Sequence, residues 1–307
     1  MPELPDVTVY RERLTALFAG RVLEGVRLRS SFLVRTVEPP IEELAGKTLR
    51  GVERLGKRLV FVFDADLFLV LHLMIAGRLR FWPRERKLGG RIDLAAFDFD
   101  NGTLVLTEAS PKKRASLHVV RGRGALRDFD RGGLEVEGAT AGAFAAALRA
   151  SNRTLKRALT DPTVLSGIGN AYSDEILHAA RLSPVVLTSR LTDDEIERLR
   201  AATVATLRLW TQRLRDEVGD GFPDKVTAFR EGMAVHGRYG RPCPVCGARV
   251  QRIRYADNEC NYCAACQCGG RLLADRGLST LLKKDWPKTL DELEERRRPG
   301  CDEPGGR

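Results

Sequence analysis

No cysteine precedes Cys243 in this sequence of 307 residues, and no apolar run approaches the ~20 residues of a membrane-spanning helix. The first absence excludes a disulfide framework from most of the chain, and the second excludes a helical membrane anchor. The start reads as neither a signal nor a transit peptide, because Glu3, Asp6 and Glu12 interrupt it. The expected location is therefore the cytoplasm. Histidine is scarce: His72, His118, His178 and His236 are scattered, each reads as structural or surface, and a histidine-based nucleophilic triad has no support. No internal repeat is present. Acidic residues are in deficit, 41 against 51 Lys and Arg, which leaves a net charge of +10. A soluble chain this basic is expected to meet a polyanion, with counterion release from DNA or RNA as the driving force; the alternative is a basic surface with no partner.

The length suggests two domains, and an apolar content of 43% is ample for a core. Residues 6–19 place Val7, Tyr10, Leu14, Leu17 and Phe18 near one helical stripe. Short alternating or apolar runs then follow to about residue 120, with DNG at 100–102 as a hairpin turn. They predict a mostly antiparallel β-sandwich or barrel. A Gly- and Arg-rich stretch follows, with a linker placed at 126–139, and from 140 the periodicity is helical. The segment 193–218 is a long amphipathic helix with an acidic start. The fold class is α+β: an N-terminal β-sandwich with a leading helix (1–125), a helical domain (140–238), a cysteine-rich finger (239–270) and an extension (271–307) whose end reads as disordered.

Six of the seven cysteines fall between Cys243 and Cys268. CPVC gives Cys243-x2-Cys246 and CAAC gives Cys263-x2-Cys266, two knuckles that supply four thiolates for one tetrahedral zinc. Four thiolates leave no open position, so the site is structural. Cys260-x2-Cys263 is a second possible knuckle, and Cys268 is another nearby thiol; the 263/266 register is preferred. Arg249, Arg252 and Arg254 lie between the knuckles and can meet phosphates. In VLSGIGNAYSDEIL, Gly167 and Gly169 bracket a turn and Asn170 opens a helix, whose free N–H groups suit a phosphate; Arg153, Lys156 and Arg157 precede it. At the start, removal of Met1 gives Pro2 a secondary amine. α-Amino groups titrate near ~8, below lysine at about 10.4, so a nitrogen nucleophile exists at neutral pH and can attack a sugar C1′. Glu3 beside it can move protons. The bland alternative is a rigid start that caps the first helix.

Together these stretches resemble the formamidopyrimidine-DNA glycosylase family (Fpg/Nei, helix–two-turn–helix). The resemblance spans roughly residues 2–268 and rests on PELPDV, GKRL around Lys57, HLMIAGRLR, LSGIGNAYSDEIL and HGRYGRPCPVCG, in that order. It implies that Pro2 is a nucleophile that displaces a damaged base and forms a Schiff base, with Glu3 as proton-transfer partner. Lys57 matches the family's β-strand lysine near the lesion phosphate. Lys156 and Asn170 match residues that organise the site and hold phosphate in a helix–two-turn–helix DNA-binding domain ending in a zinc finger hairpin. The implied enzyme is a bifunctional glycosylase and abasic-site lyase of base excision repair. It would act as a monomer on double-stranded DNA carrying an oxidised base or abasic site, flipped from the duplex, and would be nucleoid-associated.

The sequence also departs from the family pattern. Ile75 stands at the methionine of an HLGM-type segment, with Met74 in place of its glycine. In SPKKRAS, Lys112 and Lys113 keep the charge of a DPRRFG-type loop, but Arg114 replaces its apolar wedge. Asn258 stands where the family's finger carries an arginine, without that residue's charge or fork. Arg114 and Asn258 motivate an alternative: a DNA-binding protein on the same scaffold without turnover, or one acting only on abasic sites. Beyond Cys268, Leu272, Leu273, Leu278, Leu281, Leu282 and Trp286 are apolar enough to pack against the body.

Overall fold

In a computed structural model of the chain, residues 1–255, 258–274 and 286–296 are described. They form two compact units, Met1–Glu135 with Leu207–Ala228, and Val136–Thr206 with the described residues from Phe229 onward. Among them, no helix is long and apolar enough to cross a membrane.

The first unit opens with helix α1 (Leu4–Phe18). Glu3 is its extended N-cap, Pro5 falls in the first turn where no donor is lost, and the Glu3 N–H donates to Asp6 Oδ2 at 2.9 Å. Val7, Tyr10, Leu14 and Phe18 are fully buried on its inner stripe. Eight strands follow: β1 (Val22–Leu28), β2 (Lys47–Leu55), β3 (Arg58–Phe63), β4 (Leu67–His72), β5 (Gly77–Trp82), β6 (Asp93–Phe99), β7 (Gly102–Glu108) and β8 (Ser116–Arg121). Their order is β5-β7-β6-β1-β2-β3-β4-β8. The β1–β2 junction is thin, pairing only Val22 with Thr48 and Leu23 with Lys47. It is the corner at which two antiparallel layers of four strands meet. Leu79, Phe97 and Leu104 from one layer share a core with Leu49, Phe61, Leu69 and Leu117 from the other, so the expected sandwich is present. The DNG turn holds: Gly102 sits at φ +143°, and a Cβ there would lie 2.3 Å from the Trp82 carbonyl oxygen. After β8 the chain is packed rather than free. A 3-10 stretch at Arg123–Phe129 sets Leu126 and Phe129 over the outer-face cluster of Val60, Phe68 and Val70. Apolar side chains without helical periodicity hid this in the sequence.

The second unit holds α2 (Ala141–Arg149), α3 (Leu155–Thr160), α4 (Asn170–Ala179) and the first part of α5 (Asp193–Val218). Thr140 caps α2 by accepting the Ala143 N–H at 3.1 Å. The finger follows: β9 (Gln251–Tyr255) pairs with β10 (Asn258–Tyr262), and Cys263 is the N-cap of α6 (Ala264–Cys268). The last helix among the described residues is the short α7 (Leu290–Glu295). Leu272 and Leu273 pack with Ile253, Tyr262, Ala264 and Leu290, as their apolar character predicts. Leu278, Leu281 and Leu282 lie outside the described residues.

Candidate active site and nucleic-acid interface

Pro2 and Glu3 are buried, and Glu3 is only 2% exposed. The terminal amine, here on Met1, lies below its ordinary value. Burial is the main cause; Glu3 opposes it, and the cations Arg78 and Lys57 reinforce it. The Arg78 guanidinium is tied to the carbonyls of Val226 (2.6 Å), Gly77 (2.7 Å) and Ile75 (3.2 Å). Lys57, expected on a strand, lies instead in the Gly56–Lys57 turn between β2 and β3, half-buried. The strand pairing ends at Leu55 and Arg58, so the turn projects the lysine beyond the ladder. His72, at the end of β4, is pushed down to about 4 by burial and by nearby Arg58, Lys57 and His118, so its ring is neutral at pH 7.

Ile75 and the Lys112–Arg114 segment come from two loops that strand pairing holds side by side. Gly77, just after the Ile75 turn, pairs with Glu108, just before the lysine loop. Ile75 is 54% exposed, and Lys112, Lys113 and Arg114 are exposed. The loop's root is Glu108, a buried residue that the motifs did not single out. Its Oε2 accepts the N–H groups of Arg114 (2.9 Å) and Ala115 (3.1 Å), and its main-chain carbonyl accepts from Lys113 Nζ.

In the second unit Lys156 is buried. Its ammonium donates to the Asn170 carbonyl (2.8 Å), Ser173 Oγ (2.8 Å) and Asp174 Oδ1 (2.5 Å). An ammonium has three protons, so none is left for a phosphate. Lys156 therefore organises the start of α4 from within. Burial alone would raise the Asp174 carboxyl, but Lys156 and the His236 ring hold it below the carboxylate range. Asn170 Nδ2 donates to the Glu259 carbonyl on β10 at 2.9 Å, so this side chain ties α4 to the finger. Glu175 accepts the N–H groups of Ala234 (2.7 Å), Val235 (2.9 Å) and His236 (2.9 Å). Asn258 is exposed at the start of β10.

The sulfur atoms of Cys243, Cys246, Cys263 and Cys266 lie within 4.8 Å of one another. The Cys243–Cys266 separation is 3.9 Å and the Cys246–Cys263 separation 3.4 Å. A tetrahedron with Zn–S of about 2.3 Å has edges of about 3.8 Å, so the set fits one zinc. The cluster is the preferred register; Cys260 is buried outside it, and Cys268 does not join it.

Two family models cover most of the chain: the formamidopyrimidine-DNA glycosylase N-terminal domain over residues 1–116, and the H2TH domain of the same glycosylase over residues 134–213. A formamidopyrimidine-DNA glycosylase of Thermus thermophilus is 34% identical over 282 residues, covering 88% of this chain and all of that protein. The chain belongs to the formamidopyrimidine-DNA glycosylase family. A glycosylase-like protein of Mycobacterium tuberculosis is 42% identical over 140 residues, 46% of this chain and 87% of that one. Among solved structures, Lactococcus lactis Fpg bound to abasic-site DNA superimposes with a TM-score of 0.76 at 26% identity, covering 87% of this chain and 99% of that one. A mutant of the same Fpg bound to DNA containing Fapy-dG gives the same score and identity, over 87% and 100%.

Against this family's pattern, Met74 now has a physical cost. It lies at φ +51°, in the left-handed region where the HLGM-type glycine needs no Cβ. The residues that sequence reasoning missed are Glu108, Asp174 and Glu175, together with His178 and His236. All five are buried polar groups; Asp174, Glu175 and His236 lie inside segments quoted as motifs, and Glu108 and His178 lie just outside them. A carboxylate or histidine among apolar neighbours was the available signal.

Proposed function

We propose that this chain is a DNA glycosylase and abasic-site lyase of base excision repair, acting through the amine of Pro2. The observation that carries the reading is the terminus itself. It is buried, fixed by the Glu3–Asp6 bond, and its amine is depressed beside Arg78 and Lys57. A frayed tail would show none of this. Once Met1 is removed, the same surroundings favour the free base of the Pro2 nitrogen. That nitrogen attacks C1′ of a flipped nucleotide, the C1′–N bond breaks, and the base leaves with a proton. Glu3 protonates the sugar ring oxygen as the ring opens to the iminium. Loss of a C2′ proton then expels the 3′ phosphate, and a second elimination expels the 5′ phosphate, leaving a one-nucleoside gap.

The remaining residues take supporting roles. Lys57 lies near the lesion phosphate. Ile75, Lys112, Lys113 and Arg114 enter the space left by the flipped nucleotide, with Arg114 stacking or hydrogen-bonding in place of an apolar wedge. Lys156 and Asn170 position the amides at the start of α4, which meet the backbone. Zinc on Cys243, Cys246, Cys263 and Cys266 folds the finger and takes no chemical step. Asn258 contacts the backbone as a neutral donor. The substrates are oxidised bases of the formamidopyrimidine or 8-oxoguanine type and abasic sites in duplex DNA. The test is strand cleavage on duplexes carrying 8-oxoguanine, formamidopyrimidine, an oxidised pyrimidine or an abasic site, with wild type beside Pro2→Gly. Cleavage of a base lesion that falls by two or more orders of magnitude in the variant supports the reading. Tight binding without turnover on any duplex overturns it in favour of a non-catalytic binder, and cleavage at abasic sites alone removes the glycosylase half.

A further inference from the structure

Helix α4 carries three polar residues at four-residue spacing, Asn170, Asp174 and His178, and each meets a different part of the finger. Asn170 holds the Glu259 carbonyl at 2.9 Å. Asp174 Oδ2 accepts the Asn261 N–H at 3.1 Å and lies 2.8 Å from His236 Nδ1. His178 places its Nε2 3.3 Å from Cys243 Sγ. Residues at i, i+4 and i+8 share one face, so this is a single stripe running from the helix start to the cysteine cluster.

We infer that His178 is an outer-sphere partner of the metal centre: it donates Nε2–H to the Cys243 thiolate and thereby locks zinc retention to the placement of α4. The inference rests on the zinc reading given above. Both groups are buried, His178 at 6% and Cys243 at 2% exposure, so water does not compete for this bond. Cys243 Sγ also accepts from the Val245 and Cys246 backbone N–H groups of its own knuckle; a further donor from α4 spreads the charge of a metal-bound thiolate and ties the sulfur to that helix. His178 is not a fifth ligand candidate by geometry, because four sulfur atoms already complete the tetrahedral set. Its helix position makes the bond consequential. The same helix presents at its start the amides that Lys156 and Asn170 organise. A finger that loses zinc would pull on His178, and a displaced α4 would loosen Cys243. Nothing in the cysteine spacing announces this coupling, since His178 lies 65 residues before Cys243.

The experiment is zinc transfer from the full-length protein to a chromogenic chelator, after metal analysis of each purified variant. His178→Phe keeps a ring and removes the donor; His178→Gln keeps a donor on a side chain of similar reach. The expected result is one zinc per wild-type chain, release accelerated about 10- to 100-fold in His178→Phe, and substantial recovery in His178→Gln. The cobalt-substituted proteins give a second readout, in which loss of the hydrogen bond shifts the sulfur-to-cobalt charge-transfer band in His178→Phe and spares it in His178→Gln. Equal release and unshifted bands in all three proteins overturn the inference while leaving the zinc reading intact. A wild-type chain that binds no zinc overturns the zinc reading itself. If His178→Phe does not fold, His178→Leu takes its place: fast release from His178→Leu beside slow release from His178→Gln supports the donor role, and equal release from the two contradicts it.

Discussion

Met74 occupies a left-handed turn conformation at φ +51°, a position where a side chain costs roughly 1–2 kcal/mol and glycine costs less. Met74→Gly gives the unfolded chain more freedom, which offsets part of the gain. The expected outcome is a stability increase of up to about 1 kcal/mol in urea unfolding; a clear loss would mean that the Met74 side chain makes contacts worth more than the strain. His72 makes a different kind of prediction. Its folded value of about 4 lies below the 6.5 of an unperturbed imidazole, because burial disfavours the charged ring. The fold therefore holds the neutral form. Its full contribution is present above pH 6.5 and is lost as pH falls from 6.5 towards 4. That window carries an order-of-magnitude effect of about 3 kcal/mol. Unfolding free energies measured from pH 7 to pH 4 should fall less steeply in His72→Gln than in wild type, and parallel profiles would contradict the assignment. Neither effect was legible in the sequence: HLMI shows a missing glycine, but neither the turn's backbone angle nor the burial of the ring.

At the scale of elements, α4 shows how much a motif can announce and how much it conceals. The stretch LSGIGNAYSDEIL marks a turn, a helix start and a phosphate-binding geometry, and the helix begins at Asn170 as that spacing suggests. The direction of Lys156 is not marked. A lysine beside a Gly-rich helix entry reads as a phosphate ligand, yet here it points into the unit and meets the fully buried Asp174. Removing one partner of such a pair strands the other charge. Lys156→Met is expected to lower stability by about 3–5 kcal/mol. The double variant Lys156→Met with Asp174→Asn should be less unstable than the single one, because no bare carboxylate remains. A double variant as unstable as the sum of the two singles would show that the pair is not coupled. The β-rich half was more legible than the helical half, since short apolar runs bounded by turns mark strands whether they alternate, as β8 does, or are buried along nearly their whole length, as β4, β6 and β7 are. The thin β1–β2 corner was not legible. It depends on a two-pair contact between segments separated by a long excursion, and no local pattern encodes that.

For the whole molecule, charge and the order of the motifs were readable in the sequence. The N-terminal unit takes in Leu207–Ala228 from far along the sequence, because α5 continues past the unit boundary without any break in its periodicity. An excess of ten positive charges suits a duplex partner, and a binding constant that falls steeply with salt would register it. The central claim is narrower: the reagent is the first residue of the processed chain. Borohydride reduction during incubation with abasic-site duplex, followed by proteolysis and mass spectrometry of the N-terminal peptide, tests it most directly. The account predicts a stable protein–DNA adduct whose added mass lies on a peptide beginning at Pro2. An adduct on a lysine, or no adduct from a protein that still binds the duplex, would contradict it.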